Sequence, residues 1–424
     1  MPPLKDRLYR LLRWSEKYTK TDMVYLASGG FWTTFAQIVA AAAVLIFAIV
    51  VGRFLPKEVY GEYKYVLAAV AILSTFSLSG IGSAVFQSVA RGFDGALHEG
   101  FWANIRWSAL VFLGAFALAA YYLMQGNATL AFGVLIGGCL SPFLTSANLA
   151  GAFLGGKRDF ARSSIYFGII ETLLSVGALI VTVMLTHDVL ALVAVYFLSN
   201  TLATLWLYRR VTRTYAPDTS KTDPGMLTYG KHLSLIGILG GIASNIDQLL
   251  VFHFVGPAEL AVYNFAIAMP DQLKAPSKAL DQMIQARFVG RPQAHIESGM
   301  ANKVLVLALA SVVLVALYIF AAPILYDILF PRYADAIPYS QVYALSLLAT
   351  ITLTPTTSWL SAKKRVREQY VSATAIGLVR IALMVSGVLI AGLWGLIIAR
   401  VLARLFASGL NAFLFYHPLA PAEE

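Results

Sequence analysis

The sequence predicts an all-α polytopic membrane protein, with about twelve transmembrane helices in two six-helix lobes and a central cavity. Three observations predict it. The chain of 424 residues is 58% hydrophobic and only 13% charged, where soluble proteins carry roughly 25% charged residues. Mean hydropathy is +0.71. Apolar runs of roughly 20 residues, the length that crosses about 30 Å of hydrocarbon, recur along the whole chain. Together these exclude a soluble enzyme, a disordered chain and a disulfide-framed secreted domain. The single cysteine, Cys139, lies in an apolar stretch and has no partner for an intramolecular disulfide.

Residues 1–27 form a basic tail with Lys5, Arg7, Arg10, Arg13, Lys17 and Lys20. No early apolar core follows these charges, so the tail is not a cleavable signal peptide. Leu4, Leu8, Leu11 and Leu12 share one helical face, which fits an amphipathic helix on the inner leaflet. A solvated tail that sets topology fits equally well. The first lobe, 28–208, holds apolar spans at about 28–52, 64–86, 103–124, 128–153, 163–186 and 189–208. A cytoplasmic linker, 209–230, carries Pro217, Asp218, Pro224 and Gly225 and divides the chain. The second lobe, 231–418, holds spans at 231–255, 259–284, 304–330, 336–361, 370–392 and 394–416. Residues 419–424 are a short C-terminal tail.

Charge tests this count independently. With the N-terminus inside, the outer segments hold only Arg53, Lys57, Lys64 and Arg332, and the other Lys and Arg outside the spans fall on inner segments. That asymmetry is what the positive-inside rule requires, and a miscounted span would scramble it. Both termini are therefore expected in the cytoplasm, with the chain in the inner (plasma) membrane. The net charge of +10 is explained by topology and anionic lipid, so nucleic acid is not an expected partner. None of the six histidines pairs with another at ligand spacing, so neither a metal nor a resident cofactor is expected.

The two halves repeat a motif. Phe54-Leu55-Pro56-Lys57-Glu58-Val59-Tyr60-Gly61-Glu62-Tyr63 joins the first two spans. Phe254-Val255-Gly256-Pro257-Ala258-Glu259-Leu260-Ala261-Val262-Tyr263 joins the seventh and eighth. Both contain Pro-x-Glu and end on Tyr, as a parallel repeat of two six-helix lobes does. These turns, with Asn245-Ile246-Asp247-Gln248-Leu249-Leu250 and Phe330-Pro331-Arg332-Tyr333-Ala334-Asp335-Ala336, resemble polysaccharide flippases of the MOP superfamily. The resemblance spans nearly the whole chain in helix count and lobe arrangement. It implies movement of a polyprenyl-pyrophosphate-linked oligosaccharide from the inner to the outer leaflet, in the manner of the Wzx type. It also implies membrane lipids and polymer-assembly proteins as partners, with a monomer as the transport unit.

Several ionisable residues lie within the spans: Glu171, Asp247, Asp271, Lys274, Lys278, Asp281, Arg380, Arg400 and Arg404. Each charge at mid-membrane costs about 2.5–3.5 kcal/mol on insertion scales, so such groups face water, pair or snorkel. Arg380 lies roughly 15 Å from the inner end of its span at 1.5 Å per residue. Arg400 and Arg404 are four apart and share a face. These three arginines are the first candidates for pyrophosphate, whose oxygens suit the planar, permanently charged guanidinium. Lys274 and Lys278 are further candidates on a stripe with Asp271 and Asp281, where internal pairing is the competing reading. Asp247, Glu171 and Asp271 are candidates either for coupling to Na⁺ or H⁺ or as counter-ions to the arginines. Gln37, Gln87, Asn148, Asn200, Asn245 and Trp359 are positions for a sugar path, each equally explained by packing or capping.

Two alternatives compete with a flippase. A cation-coupled exporter of small organic molecules would use the same fold, but span 28–52 holds no Asp or Glu. A membrane enzyme would need a catalytic constellation on a sizeable loop, and the expected outer loops are short.

Overall fold

The computed structural model describes residues 23–274, 300–362 and 366–417. Most of the basic tail, residues 419–424, Lys278 and Asp281 lie outside these residues. No strand occurs among the described residues. Eight helical stretches are long and apolar enough to cross a membrane. They coincide with the first, third to seventh and ninth spans and with the last two, which run together as Val366–Tyr416. Ala391 and Gly392 interrupt that run with non-helical backbone, Gly392 at φ 54°. Glycine tolerates such a positive φ, so the chain can turn there between two spans.

Of the remaining three spans, the second and tenth are broken, and the eighth is described only to Lys274. The second consists of Lys57–Ser74 and Ile81–Ala90. The Gly80 amide between them donates to Ser234 Oγ at 2.9 Å. A Cβ at Gly80 would meet the Leu233 side chain at 2.5 Å, so the break depends on glycine for this approach. The eighth span runs as Pro257–Gln272 and leaves the helix at Leu273, shortly after the internal Pro270. The tenth is three short helices, Ala336–Ala344, Ser346–Thr352 and Thr354–Ala362. Thr350, Thr354 and Ser358 each donate to the carbonyl four residues back at 2.8–2.9 Å, a habit that bends helices. The fifth span opens with Phe160–Ser163 and a π-helical stretch, Ser164–Ile170, before Glu171–Leu185.

Large apolar side chains stand outward, including Phe320 at 80% and Ile390 at 84% exposure. Water would penalise that surface, whereas lipid accepts it. With all described backbone in helices and turns, this is an all-α polytopic membrane protein.

The chain forms two compact units. The first comprises the described residues to Ala48, Leu73–Thr186 and Leu190–Ser234. Its core packs Val85, Leu97, Phe153 and Leu154. The residues of the expected linker are tied down within it. Asp223 is buried and accepts from Ser88 Oγ at 2.5 Å, from the Gly225 amide at 3.1 Å and from Arg91. The Ser88 hydroxyl, the Gly225 amide and the Arg91 charge hold its carboxyl below the ordinary aspartate value, against the opposing effect of burial. Gly95 N donates to the Lys221 carbonyl at 2.9 Å.

The second unit comprises Ile49–Ile72, His187–Val189 and the described residues from Leu235 onward. The repeated turn of the first half therefore belongs to it. There three of the motifs singled out in the sequence meet. The Phe265 ring lies 5.5 Å from Tyr60, 4.9 Å from Phe330 and 3.9 Å from Tyr333. Lys57 pairs with Asp335 at 2.7 Å and lies 5.2 Å from the Tyr333 ring. Gly61 packs so closely on the Pro257 carbonyl that a Cβ there would overlap backbone atoms. Gly256, at φ 131°, makes the matching turn.

Candidate functional site

The second unit draws most of the candidate charges into one cluster. Asp247 comes from the helix Met226–Phe254, and Asp271 from the end of Pro257–Gln272, with Lys274 in the turn beyond it. Arg380, Arg400 and Arg404 come from Val366–Tyr416. Arg400 and Arg404, one helical turn apart, take separate acids. Arg400 pairs with Asp247, whose side chain is 1% exposed. Arg404 pairs with Asp271 at 3.0 Å, and Lys274 pairs with the same oxygen. Asp247 and Asp271 thus sit as counter-ions to two of the three arginines.

Arg380 differs. It is half-buried and makes neither an ion pair nor a hydrogen bond among the described residues, although Arg400 and Asp247 lie within electrostatic reach. The cluster holds the four cations Lys274, Arg380, Arg400 and Arg404 against the two acids Asp247 and Asp271. Among the described residues the local excess is two positive charges.

Two tyrosines complete the cluster, and the sequence marks neither as a site residue. Tyr263 OH donates to Asp247, and Arg400 donates to the Tyr263 oxygen. Tyr343 OH donates to Asp271 at 3.0 Å, and Arg404 donates to Tyr343. The Tyr343 ring centroid is 5.4 Å from the Arg400 guanidinium and 4.5 Å from that of Arg404. The ring therefore stands against two cations that would otherwise repel. Arg404 also donates to Ser346 Oγ at 2.7 Å. Arg400 Nε is buried without an acceptor among the described residues. A signal was present in the sequence, because a tyrosine in an apolar span needs a partner for its hydroxyl. Tyr263 also closes the repeated turn motif.

Burial within the cluster is uneven. The Asp247 carboxylate is enclosed, while the Asp271 side chain is 35% exposed. The cluster therefore has one sealed ion pair and one accessible acid shared by Arg404 and Lys274. An incoming anion can compete with Asp271 far more readily than with Asp247.

Glu171 lies in the first unit, immediately after the π-helical stretch. It is half-buried and makes no ion pair among the described residues. Trp359 is fully buried and packs on Phe415 with ring centroids 5.0 Å apart. Asn200 and Asn245 donate to carbonyls of their own helices at 2.7 and 3.0 Å. Gln87 donates to Tyr229 OH at 3.1 Å.

The family model described as "polysaccharide biosynthesis protein" matches residues 26–270. No curated protein matches the sequence. Among solved structures, a multidrug resistance MATE family transporter of the MOP superfamily, in an inward-facing conformation, superposes with a TM-score of 0.70. It is 14% identical, with 89% of this chain and 94% of that chain covered. A MOP superfamily transporter from Pyrococcus furiosus, described as having a binding pocket of reversed polarity, superposes with a TM-score of 0.64. It is also 14% identical, with coverage of 92% and 95%. At these identities the likeness is one of fold.

Proposed function

Because the chain belongs to the polysaccharide biosynthesis protein family and has the fold of MOP superfamily transporters, we propose that it is a flippase for a polyprenyl-pyrophosphate-linked oligosaccharide. It carries this substrate from the inner to the outer leaflet by alternating access, for surface polysaccharide assembly. The observation that carries the reading is the excess, among the described residues, of two positive charges around Arg380, Arg400 and Arg404. A protein in lipid tolerates such an excess poorly unless an anion visits it.

The geometry gives each group a part. Arg380 is the uncommitted cation and meets the pyrophosphate first. Arg404 and Lys274 share Asp271, the exposed acid, and turn toward the phosphate oxygens as that carboxylate is displaced. Arg400 stays with Asp247 and Tyr263 and fixes the face from which Arg404 projects. Guanidinium groups bind phosphate oxygens in a plane through paired N–H donors. Holding the charged headgroup on protein avoids the cost of moving it bare through hydrocarbon. Glu171 is the acid free to couple movement to Na⁺ or H⁺. The lobe boundaries at 209–230, cytoplasmic termini, an inner-membrane location, a monomeric transport unit and polymer-assembly partners belong to the same proposal.

Reconstitution into vesicles with a fluorescent polyprenyl-pyrophosphate sugar tests it. Leaflet transfer lost on combining Arg380→Ala, Arg404→Ala and Lys274→Ala is expected. Unaltered transfer would overturn the anion site. Efflux of small organic cations with no transfer of the lipid would favour an exporter instead. The positive excess of the cluster argues against that alternative.

A further inference from the structure

The first unit holds a cavity of about 320 Å³ that the transport reading leaves unused. One wall is the helix Ala96–Trp107, through His98, Glu99, Trp102 and Arg106; the other is Thr219, Thr222 and Leu227. Positions 99, 102 and 106 recur at helical spacing and share one face. The wall carries both signs of charge, and they do not neutralise each other.

Glu99 Oε2 is buried and has no hydrogen-bond donor among the described residues. The Asp223 carboxylate lies within electrostatic reach and deepens the negative field there. Asp223 is already engaged by Ser88, Arg91 and Gly225. Glu99 is the acid with unspent acceptor capacity. Trp102, 48% exposed, presents an indole beside it, and indole faces attract ammonium groups. Arg106 is exposed and makes no ion pair or hydrogen bond among the described residues. Arg106 lies seven positions after Glu99, about 10 Å of helical rise. That leaves room between them for a group with a positive end and a negative end.

We propose that this cavity binds a phosphate–ammonium zwitterion, with the ammonium between Glu99 and Trp102 and the phosphate on Arg106. The same chemistry is available from an ethanolamine phospholipid headgroup and from a free amino-alkyl phosphate. Bound there, the ligand bridges the helix to Thr219 and Thr222 and braces the chain that joins the two halves.

Calorimetry on the purified full chain in a neutral maltoside tests this. The probes are short-chain phosphatidylethanolamine, short-chain phosphatidylglycerol and free O-phosphoethanolamine. The ethanolamine lipid is expected to bind at least tenfold more tightly than the glycerol lipid. Glu99→Gln abolishes that preference, and Arg106→Ala weakens both lipids. Arg106 is exposed and unpartnered, so its variant folds even if Glu99→Gln does not. Tight binding of O-phosphoethanolamine assigns the site to a free amino-phosphate. Binding of the acylated form alone assigns it to the bilayer. Equal affinity for the two lipids, or unchanged binding in Arg106→Ala, would overturn the proposal.

Discussion

Tyr343 engages Arg404 in two ways: its ring centroid lies 4.5 Å from the guanidinium, and its hydroxyl accepts a hydrogen bond from the same side chain. That hydroxyl donates in turn to Asp271. The tyrosine therefore sets where Arg404 and its counter-ion stand. Tyr343→Phe keeps the ring and removes the relay. Hydrogen bonds to charged groups contribute about 1.5–3 kcal/mol. The expected result is a folded protein with roughly tenfold slower transfer in vesicles, while Tyr343→Ala loses transfer altogether.

Arg380 and Arg400 separate anion binding from stability. Arg400→Ala strands the enclosed Asp247 carboxylate, and breaking such a pair costs about 3–5 kcal/mol. Its melting temperature in detergent is expected to fall steeply, with recovery when Asp247→Asn is added. Arg380→Ala leaves no acid stranded among the described residues. Its melting temperature should stay near that of the parent while affinity for a pyrophosphate lipid drops. A steep loss of stability in Arg380→Ala would contradict this division.

Asp271 acts as a competitor to the substrate. Asp271→Asn releases Arg404 and Lys274 and raises the local excess by one charge. A pyrophosphate lipid is expected to bind several-fold more tightly and to leave more slowly, so turnover falls as affinity rises. Binding and transfer measured on the same preparation would reveal that opposition.

The turn between the first two spans separates contact from charge. Gly61→Ala forces a methyl onto the Pro257 carbonyl, and overpacking of this kind costs about 1–3 kcal/mol. Lys57→Ala breaks a partly exposed ion pair with Asp335, worth about 0–1 kcal/mol, and a contact with the Tyr333 ring, worth about 0.5–1 kcal/mol at exposed sites. Thermal unfolding should be lowered clearly by the first change and less by the second.

The attachment of residues 218–225 is pH-dependent on the acid side. The carboxyl of Asp223 is held below its ordinary value of 3.8 in the folded chain. Its stabilising effect is therefore complete above that value and is lost as pH falls through the lower folded-state value. Proteolysis between 218 and 222 should be suppressed at pH 5 and appear only under stronger acid. In Asp223→Asn the segment is expected to be cut at all of these values.

The spans were legible in the sequence because crossing a bilayer demands a fixed length of apolar chain. Arg380, Arg400 and Arg404 were legible for the complementary reason, since charge in such a segment needs an explanation. The interruptions of the eighth and tenth spans were legible in Pro270 and Pro355, because proline removes a helical donor; that of the second span was not. The interruption of the second span depends on Ser234, far along the chain, whose hydroxyl receives the Gly80 amide. The pairing of Arg400 with Asp247 joins residues 153 positions apart, and no local pattern encodes it. Tyr263 and Tyr343 were hidden because an aromatic residue in an apolar run also reads as packing. The stripe with Lys278 and Asp281 extends beyond the described residues.

The placement of Ile49–Ile72 has a practical consequence for chimeras. A hybrid built from two relatives by cutting at 209–230 would take the first turn motif from one parent and the second from the other. Gly61 would then face a foreign backbone at Pro257, where the atoms it meets are main-chain atoms that cannot rotate aside. A working exchange of halves must carry Ile49–Ile72 along with the second half.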